Sequence, residues 1–229
     1  MKIVMIHGQN HKGSTYMIAQ ELVDKIIDRK NGVVEKKEFF LPADFDGFCT
    51  GCYTCFQTGL SNCPHYQKLE PIKNAILDAD LLILESPVYV YHATGQMLSL
   101  LDHFGTWWVI HRPEESMFKK RAVVLTTAAG GGMKSTLKDM ADSLEMWGIS
   151  KVYRYGVGVQ ASRPDEIPEW IMKKIHKKTD KLADRICRSE GKGRMNLRGK
   201  MWFSLMKLAH KQFGAMESDY AYWEEKGWH

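Results

Sequence analysis

Apolar residues along this chain follow two rhythms. The stretches "KIVMIH" (2–7), "DLLILESPVYV" (80–90) and "RAVVLTTAAGGG" (121–132) are short, continuous and apolar, which predicts strands buried on both faces. "VVEKKEFF" (33–40) alternates imperfectly and predicts an outer strand, and "KVYRYGVGV" (151–159) predicts a last one. Between them the period lengthens. Met17, Ile18, Leu22, Val23, Ile26 and Ile27 recur at helical spacing, as do apolar positions over 67–79, 95–104 and 134–148. Pro71 is expected in the first turn of its helix, and Gly148 stops the helix before it. A long charged helix is predicted over about 165–188. Strand and helix alternate five times, so the chain is α/β, with a parallel sheet covered by helices on both faces.

The 229 residues allow one domain with an appendage: 1–190 as the sheet domain and 191–229 as a helical C-terminal extension. "EGKGR" (190–194) has the composition of a linker. The tail beyond it is rich in aromatics and methionine and is expected to pack on the core or on a second subunit. The net charge of +5 is concentrated in residues 171–211, which read as a solvated helix face rather than a nucleic-acid surface. No apolar run is long enough to span a bilayer, and "MKIVMIHG" turns polar too soon for a secretion signal, so a cytoplasmic protein is expected.

In an open parallel sheet, ligands sit beyond the carboxyl ends of the strands, where the strand order reverses. Three such ends are unusual here. "HGQNHKGSTY" (7–16) is polar and puts Ser14, Thr15 and Tyr16 at a helix start, where free amides attract a phosphate; Gln9 and Asn10 add donors. The loop has neither G-x-G-x-x-G nor Gly-Lys-Ser/Thr, and a plain capped helix start fits it equally well. "ESPVYVYHATGQ" (85–96) is rich in aromatics that can hold a flat heterocycle or simply pack the crossover. "TTAAGGGMKS" (126–135) has three glycines that let the main chain approach a ligand. A ligand with a phosphate at one end and a flat ring at the other would use all three, and flavin mononucleotide (FMN) has that shape.

Four of the five cysteines, Cys49, Cys52, Cys55 and Cys63, fall within fifteen positions at C-x2-C-x2-C-x7-C spacing. In a reducing compartment, such grouped thiols suit a soft metal centre or redox chemistry. Cys187, in the C-terminal helical part, is expected to be a buried apolar packer.

With these loops the chain resembles the flavodoxin-fold NAD(P)H-dependent FMN reductases, in particular their iron–sulfur flavoprotein branch. The first loop runs Gly8-Gln9-Asn10-His11-Lys12-Gly13-Ser14-Thr15-Tyr16, with Gln9 where the family usually has serine and His11 where it usually has arginine. Ser86, Pro87 and Tyr89 match the second loop, and "TTAAGGG" is similar to the third. The resemblance covers about residues 1–160 and implies a flavodoxin-like, doubly wound, five-stranded sheet of order 2-1-3-4-5. It implies cofactor contacts from Gln9, His11, Ser14, Thr15, Tyr16, Pro87, Val88, Tyr89, Val90, Tyr91, Thr127, Ala128, Gly130 and Gly131. Tyr89, Tyr91 and His92 are the candidates for the flavin face, and Trp107 and Trp108 for covering it or meeting a partner subunit. The cysteine run is similar to the branch's motif for one 4Fe–4S cluster; four thiolates also suit zinc, and free thiols or a redox disulfide fit the same spacing.

The implied function is an FMN-dependent oxidoreductase. It takes a hydride from NAD(P)H as co-substrate and passes electrons on to a small-molecule or protein acceptor, directly or through the cluster, and it assembles as a homodimer or tetramer. A flavodoxin-type electron carrier and a non-enzymatic binding protein using the basic C-terminal third are the alternatives.

Overall fold

The computed structural model describes residues 1–30, 32–213 and 217–229, without the side chains of 210–213. Five strands, β1 (Lys2–His7), β2 (Glu35–Phe40), β3 (Leu81–Glu85), β4 (Arg121–Ala128) and β5 (Lys151–Gly158), form one parallel sheet. Its order is β2-β1-β3-β4-β5. This is the flavodoxin-like, doubly wound arrangement. β3 is shorter than the 80–90 run suggested. It stops at Glu85, because the amides of Ser86 and Val88 leave the β1 side and bond to β4, through Leu125 O (3.0 Å) and Thr127 O (3.0 Å).

Among the described residues eight α-helices accompany the sheet: α1 (Ser14–Arg29), α2 (Thr54–Thr58), α3 (Tyr66–Asp78), α4 (Gly95–Asp102), α5 (Met133–Met146), α6 (Glu169–Arg188), α7 (Leu197–Phe213) and α8 (Glu217–Glu225). Strand side chains alternate between the two faces. Val4 and Ile6 of β1 join Leu69 and Ile72 of α3, Met97 of α4 and Leu144 of α5. Ile3 and Met5 join Ile18 and Leu22 of α1 and Ile171 and Ile175 of α6. Each central strand therefore buries both faces, which is why its sequence shows no alternation.

Several local expectations shift. Pro71 is the sixth residue of α3, not in its first turn, because the helix begins at Tyr66. Burial of Leu69, Ile72, Ala75 and Ile76 carries the helix past the missing amide. Ile27 of α1 is exposed, and Thr15 and Ala19 complete the buried stripe instead. The long charged helix begins at Glu169, after a short turn over Pro164–Glu166. Cys187 is only partly buried, against the α1–α6 side of the core. Trp107 is core, not cover: it is 3 % exposed and its ring lies 4.2 Å from Phe104 and 5.4 Å from Trp147. Trp108 packs against the same cluster.

Within the tail, Trp223 of α8 is buried and its indole donates to His111 O. The junction at 214–216 lies outside the described residues. Among the described residues no helix is long and apolar enough to cross a membrane.

The aromatic cluster carries the first prediction. Trp147 is 1 % exposed, and its indole N–H has no acceptor. Trp147→Ala should lower stability by about 3–5 kcal/mol in urea unfolding, whereas Trp147→Phe, which deletes an unsatisfied donor, should cost far less.

Candidate functional site

The loops that follow β1, β3 and β4 meet at the carboxyl rim of the sheet, beside the reversal of strand order between β1 and β3. Gly8 joins the first two loops. Its amide donates to Glu85 O (2.7 Å) and its carbonyl accepts from Thr94 Oγ1 (2.7 Å). A Cβ at Gly8 would lie 2.8 Å from Thr94 Oγ1, so only glycine permits this contact. Thr15 and Thr127 join the first loop to the third through a buried 2.7 Å hydroxyl contact.

Helix α1 starts without a cap. Gly13 is the N-cap, no side chain accepts from the first turn, and that turn contains no acid. The first helical bond is Met17 N–H to Gly13 O (3.0 Å), so the amides of Ser14, Thr15 and Tyr16 precede it. They border a cleft lined also by Gln9, His11, Pro87, Val88, Thr127 and Ala128. Uncapped amides and a helix dipole with no acid in the first turn favour an anion.

Nine of the fourteen residues expected to contact a cofactor line this cleft. Tyr89, Val90, Tyr91, Gly130 and Gly131 lie outside its lining, on the neighbouring surface. Tyr89 and His92 exchange two backbone bonds (2.8 and 2.9 Å), closing a two-residue turn on Val90 (φ 47°) and Tyr91 (φ 67°). A β-branched residue with positive φ is strained, and Val90 is 90 % exposed, so burial of its side chain does not offset that strain. Loop three touches this turn: a Cβ at Gly131 would lie 3.2 Å from the Tyr91 hydroxyl oxygen. His92 is not part of the cleft lining, and its exposed ring lies 3.3 Å from the Asp139 carboxylate.

Sequence reasoning missed Glu85, Gly13, Ala129, Val159, Ala161 and Ser162 in the lining. Glu85 had a signal: it and His7 are the polar residues that close two apolar strands. Glu85 Oε1 lies 2.8 Å from His7 Nδ1, and His7 Nε2 lies 3.2 Å from Glu38 Oε1. Glu85 Oε2 is buried without a partner. Burial pushes the Glu85 carboxyl above its ordinary range despite His7, which disfavours negative charge at the floor of the cleft.

The cysteines form a second site. Cys49, Cys52, Cys55 and Cys63 line one cavity of about 270 Å³, with Phe56, His65 and His103 around it. That is far more than the roughly 15 Å³ one water needs. A hydrogen bond from Thr54 pulls the Cys52 thiol below its ordinary range, while burial pushes Cys55 up. Tyr53, between these two cysteines, has φ 61°. The loop is held from outside. Arg112 donates to Cys55 O (2.7 Å) and Phe56 O (2.9 Å), and Ser218 of α8 also donates to Phe56 O (2.6 Å). Asp219, 2 % exposed, sits 3.1 Å from Arg112 Nε, off the hydrogen-bond axis, and 2.8 Å from His111 Nδ1. The C-terminal helix thus clamps the cysteine loop.

The model of the family described as NADPH-dependent FMN reductase matches residues 1–160. The chain belongs to that family. An iron–sulfur flavoprotein of Archaeoglobus fulgidus is 29 % identical over 233 residues, covering 99 % of each chain. Among solved structures, the apo form of an NADH:FMN oxidoreductase superposes with a TM-score of 0.58 at 20 % identity, over 85 % of this chain and 94 % of that one. An FMN-dependent NADH-azoreductase from Bacillus anthracis, solved with FMN, gives 0.59 at 12 % identity, over 81 % and 99 %. At such identities the superpositions speak for the fold, and the family match makes the chain a flavin oxidoreductase.

The Glu85 carboxyl generates a prediction. A raised folded value means that the folded state holds the proton more tightly than the unfolded chain. Stability is therefore lost as pH rises from the ordinary 4.5 through the raised value. Glu85→Gln should flatten that decline, seen as a smaller drop in urea midpoint between pH 5 and pH 8 than in the wild type.

Proposed function

We propose that this flavin oxidoreductase binds FMN in the cleft at the α1 N-terminus, oxidises NAD(P)H, and carries a 4Fe–4S cluster on Cys49, Cys52, Cys55 and Cys63. One observation carries the flavin assignment: an uncapped, acid-free helix start opens into a cleft that the other two loops border. The amides of Ser14, Thr15 and Tyr16, with Gln9 and His11, would hold the phosphate. The segments Pro87–Tyr91 and Ala128–Gly131 would flank the flat ring. Bound FMN supplies two-electron exchange at that ring, the part of the chemistry no side chain here can perform. The strained turn at Val90 and Tyr91 presents its backbone and the Tyr91 ring in a fixed orientation, and Thr15–Thr127 keeps the phosphate loop and the glycine loop at a set separation. Burial disfavours the charged form of Glu85 beneath, which lessens its opposition to an anion.

The cluster assignment is supported by four thiols lining one cavity and by the full-length likeness to a protein named for iron and sulfur. Electrons would then leave toward a small-molecule or protein acceptor. Assembly into two or four copies belongs to the same reading, and exposed Phe48 and Tyr53 beside the cysteines are surfaces such an assembly would cover.

Anaerobic purification tests this reading. The protein should show flavin absorption that NADH or NADPH bleaches, with about four iron and four sulfide per chain. A colourless protein that takes up no added FMN would overturn it.

Gly13→Asp separates the phosphate from the rest. The new carboxylate should cap α1 and raise ligand-free stability by about 0.5 kcal/mol. It should also repel the phosphate and weaken FMN binding about 100-fold, while riboflavin, titrated by fluorescence quenching, should lose little.

A further inference from the structure

Cys63 and His65 flank Pro64 just before α3, and His103 follows the last residue of α4. The ligating atoms of these three side chains lie within 4.8 Å of one another. Among the described residues they are the set of histidine, cysteine and acidic groups that converges this closely; the four thiols of the cysteine cavity do not.

The hydrogen bonds fix which nitrogens are available. Ser99 O can only accept, so His103 Nδ1, 2.7 Å away, carries the proton. In the neutral ring Nε2 then has a bare lone pair. It faces His65 Nδ1 at 2.8 Å, so His65 Nδ1–H donates to it. A histidine anchored through Nδ1 to a carbonyl, with Nε2 turned toward other donors, is the usual support of a metal-bound imidazole.

Packing holds both rings in place. Phe45 meets His103 edge-on at 4.8 Å, and a Cβ at Gly47 would lie 2.8 Å from His65 Cγ. Ser99 Oγ ties Gly47 O at 2.6 Å, so the residue that anchors His103 also fixes the backbone beneath His65.

We propose that Cys63, His65 and His103 form a mononuclear site for a divalent transition-metal ion of the zinc class. Donors around one tetrahedral ion stand roughly 3–4 Å apart, so small side-chain movements close the site. On binding, the Cys63 thiol loses one proton to solvent and its sulfur bonds the ion. The His65 proton moves from Nδ1 to Nε2, and Nδ1 becomes a ligand; His103 binds through Nε2. The fourth position faces the cysteine cavity and takes water. The site uses one thiol of four, so it needs no cluster for its assembly and forms in chains whose cluster is absent. If both are correct, their shared Cys63 makes ion and cluster mutually exclusive.

The test uses the full-length chain with Cys49, Cys52, Cys55 and Cys187 replaced by serine, stripped with chelator and checked for native circular dichroism. Cobalt(II) is the probe, since a thiolate ligand adds a charge-transfer band in the near ultraviolet. The expected result is one cobalt per chain with a thiolate band and tetrahedral visible bands, bleached by added zinc. In this background His103→Asn, which keeps a donor for Ser99 O but no ligand, and His65→Gln should each weaken cobalt binding more than about tenfold. His65 is only partly buried, so His65→Gln decides the matter should His103→Asn not fold. A background protein without the thiolate band would overturn the proposal, and so would a band of unchanged affinity in the His65 variant.

Discussion

Gly8 leaves no room for a side chain. With the Thr94 hydroxyl and the Glu85 carbonyl against it, the chain leaving β1 lies directly on the chain leaving β3. Everything at the rim follows from that contact. It brings the start of α1 beside Pro87 and Val88, and the Thr15–Thr127 contact then draws in the loop after β4. A parallel sheet supplies the common direction of the strand ends, but the separation between loops is set by this backbone approach.

The cleft gathers positive potential without burying a cation. Its donors are backbone amides at an uncapped helix start, and His11 lies beside them at the exposed edge. A buried acid at its floor would work against an anion if ionised. Burial raises Glu85 instead, and the ion pair between Glu38 and Lys36 lies toward the β2 edge, outside the cleft lining. Strain is placed at the same rim, in the exposed Val90–Tyr91 turn, where a backbone held by loop contacts can present a fixed surface.

The cysteine cavity depends on a different constraint. Its loop is short of regular structure, and α2 spans only five residues. Order comes from outside, through Arg112 on the carbonyls of Cys55 and Phe56 and through Ser218 and Asp219 of α8. The tail is therefore part of the second site rather than an ornament on the first. An apolar, aromatic tail and a thiol-rich loop share one packing problem, solved by burying Trp223 and Asp219 together against the segment around His111.

Local patterning determined the five strands, their order in the chain and the helices between them, since a strand buried on both faces must be continuously apolar. It also located the three rim loops and the four thiols, because glycine, proline and cysteine act where they stand. What tertiary structure alone decided was which distant residues meet. β3 ends at Glu85 rather than 90 because pairing with β1 stops there, and Trp107 turns inward because Phe104 and Trp147 offer it rings to pack on. His65 and His103 stand thirty-eight residues apart in the chain, yet 2.8 Å apart in space. Glu85 meets His7 across two strands that neither local sequence connects. Such pairings arise from register and packing between elements far apart in the chain, and a periodic pattern read along one segment holds no information about its neighbour across the sheet.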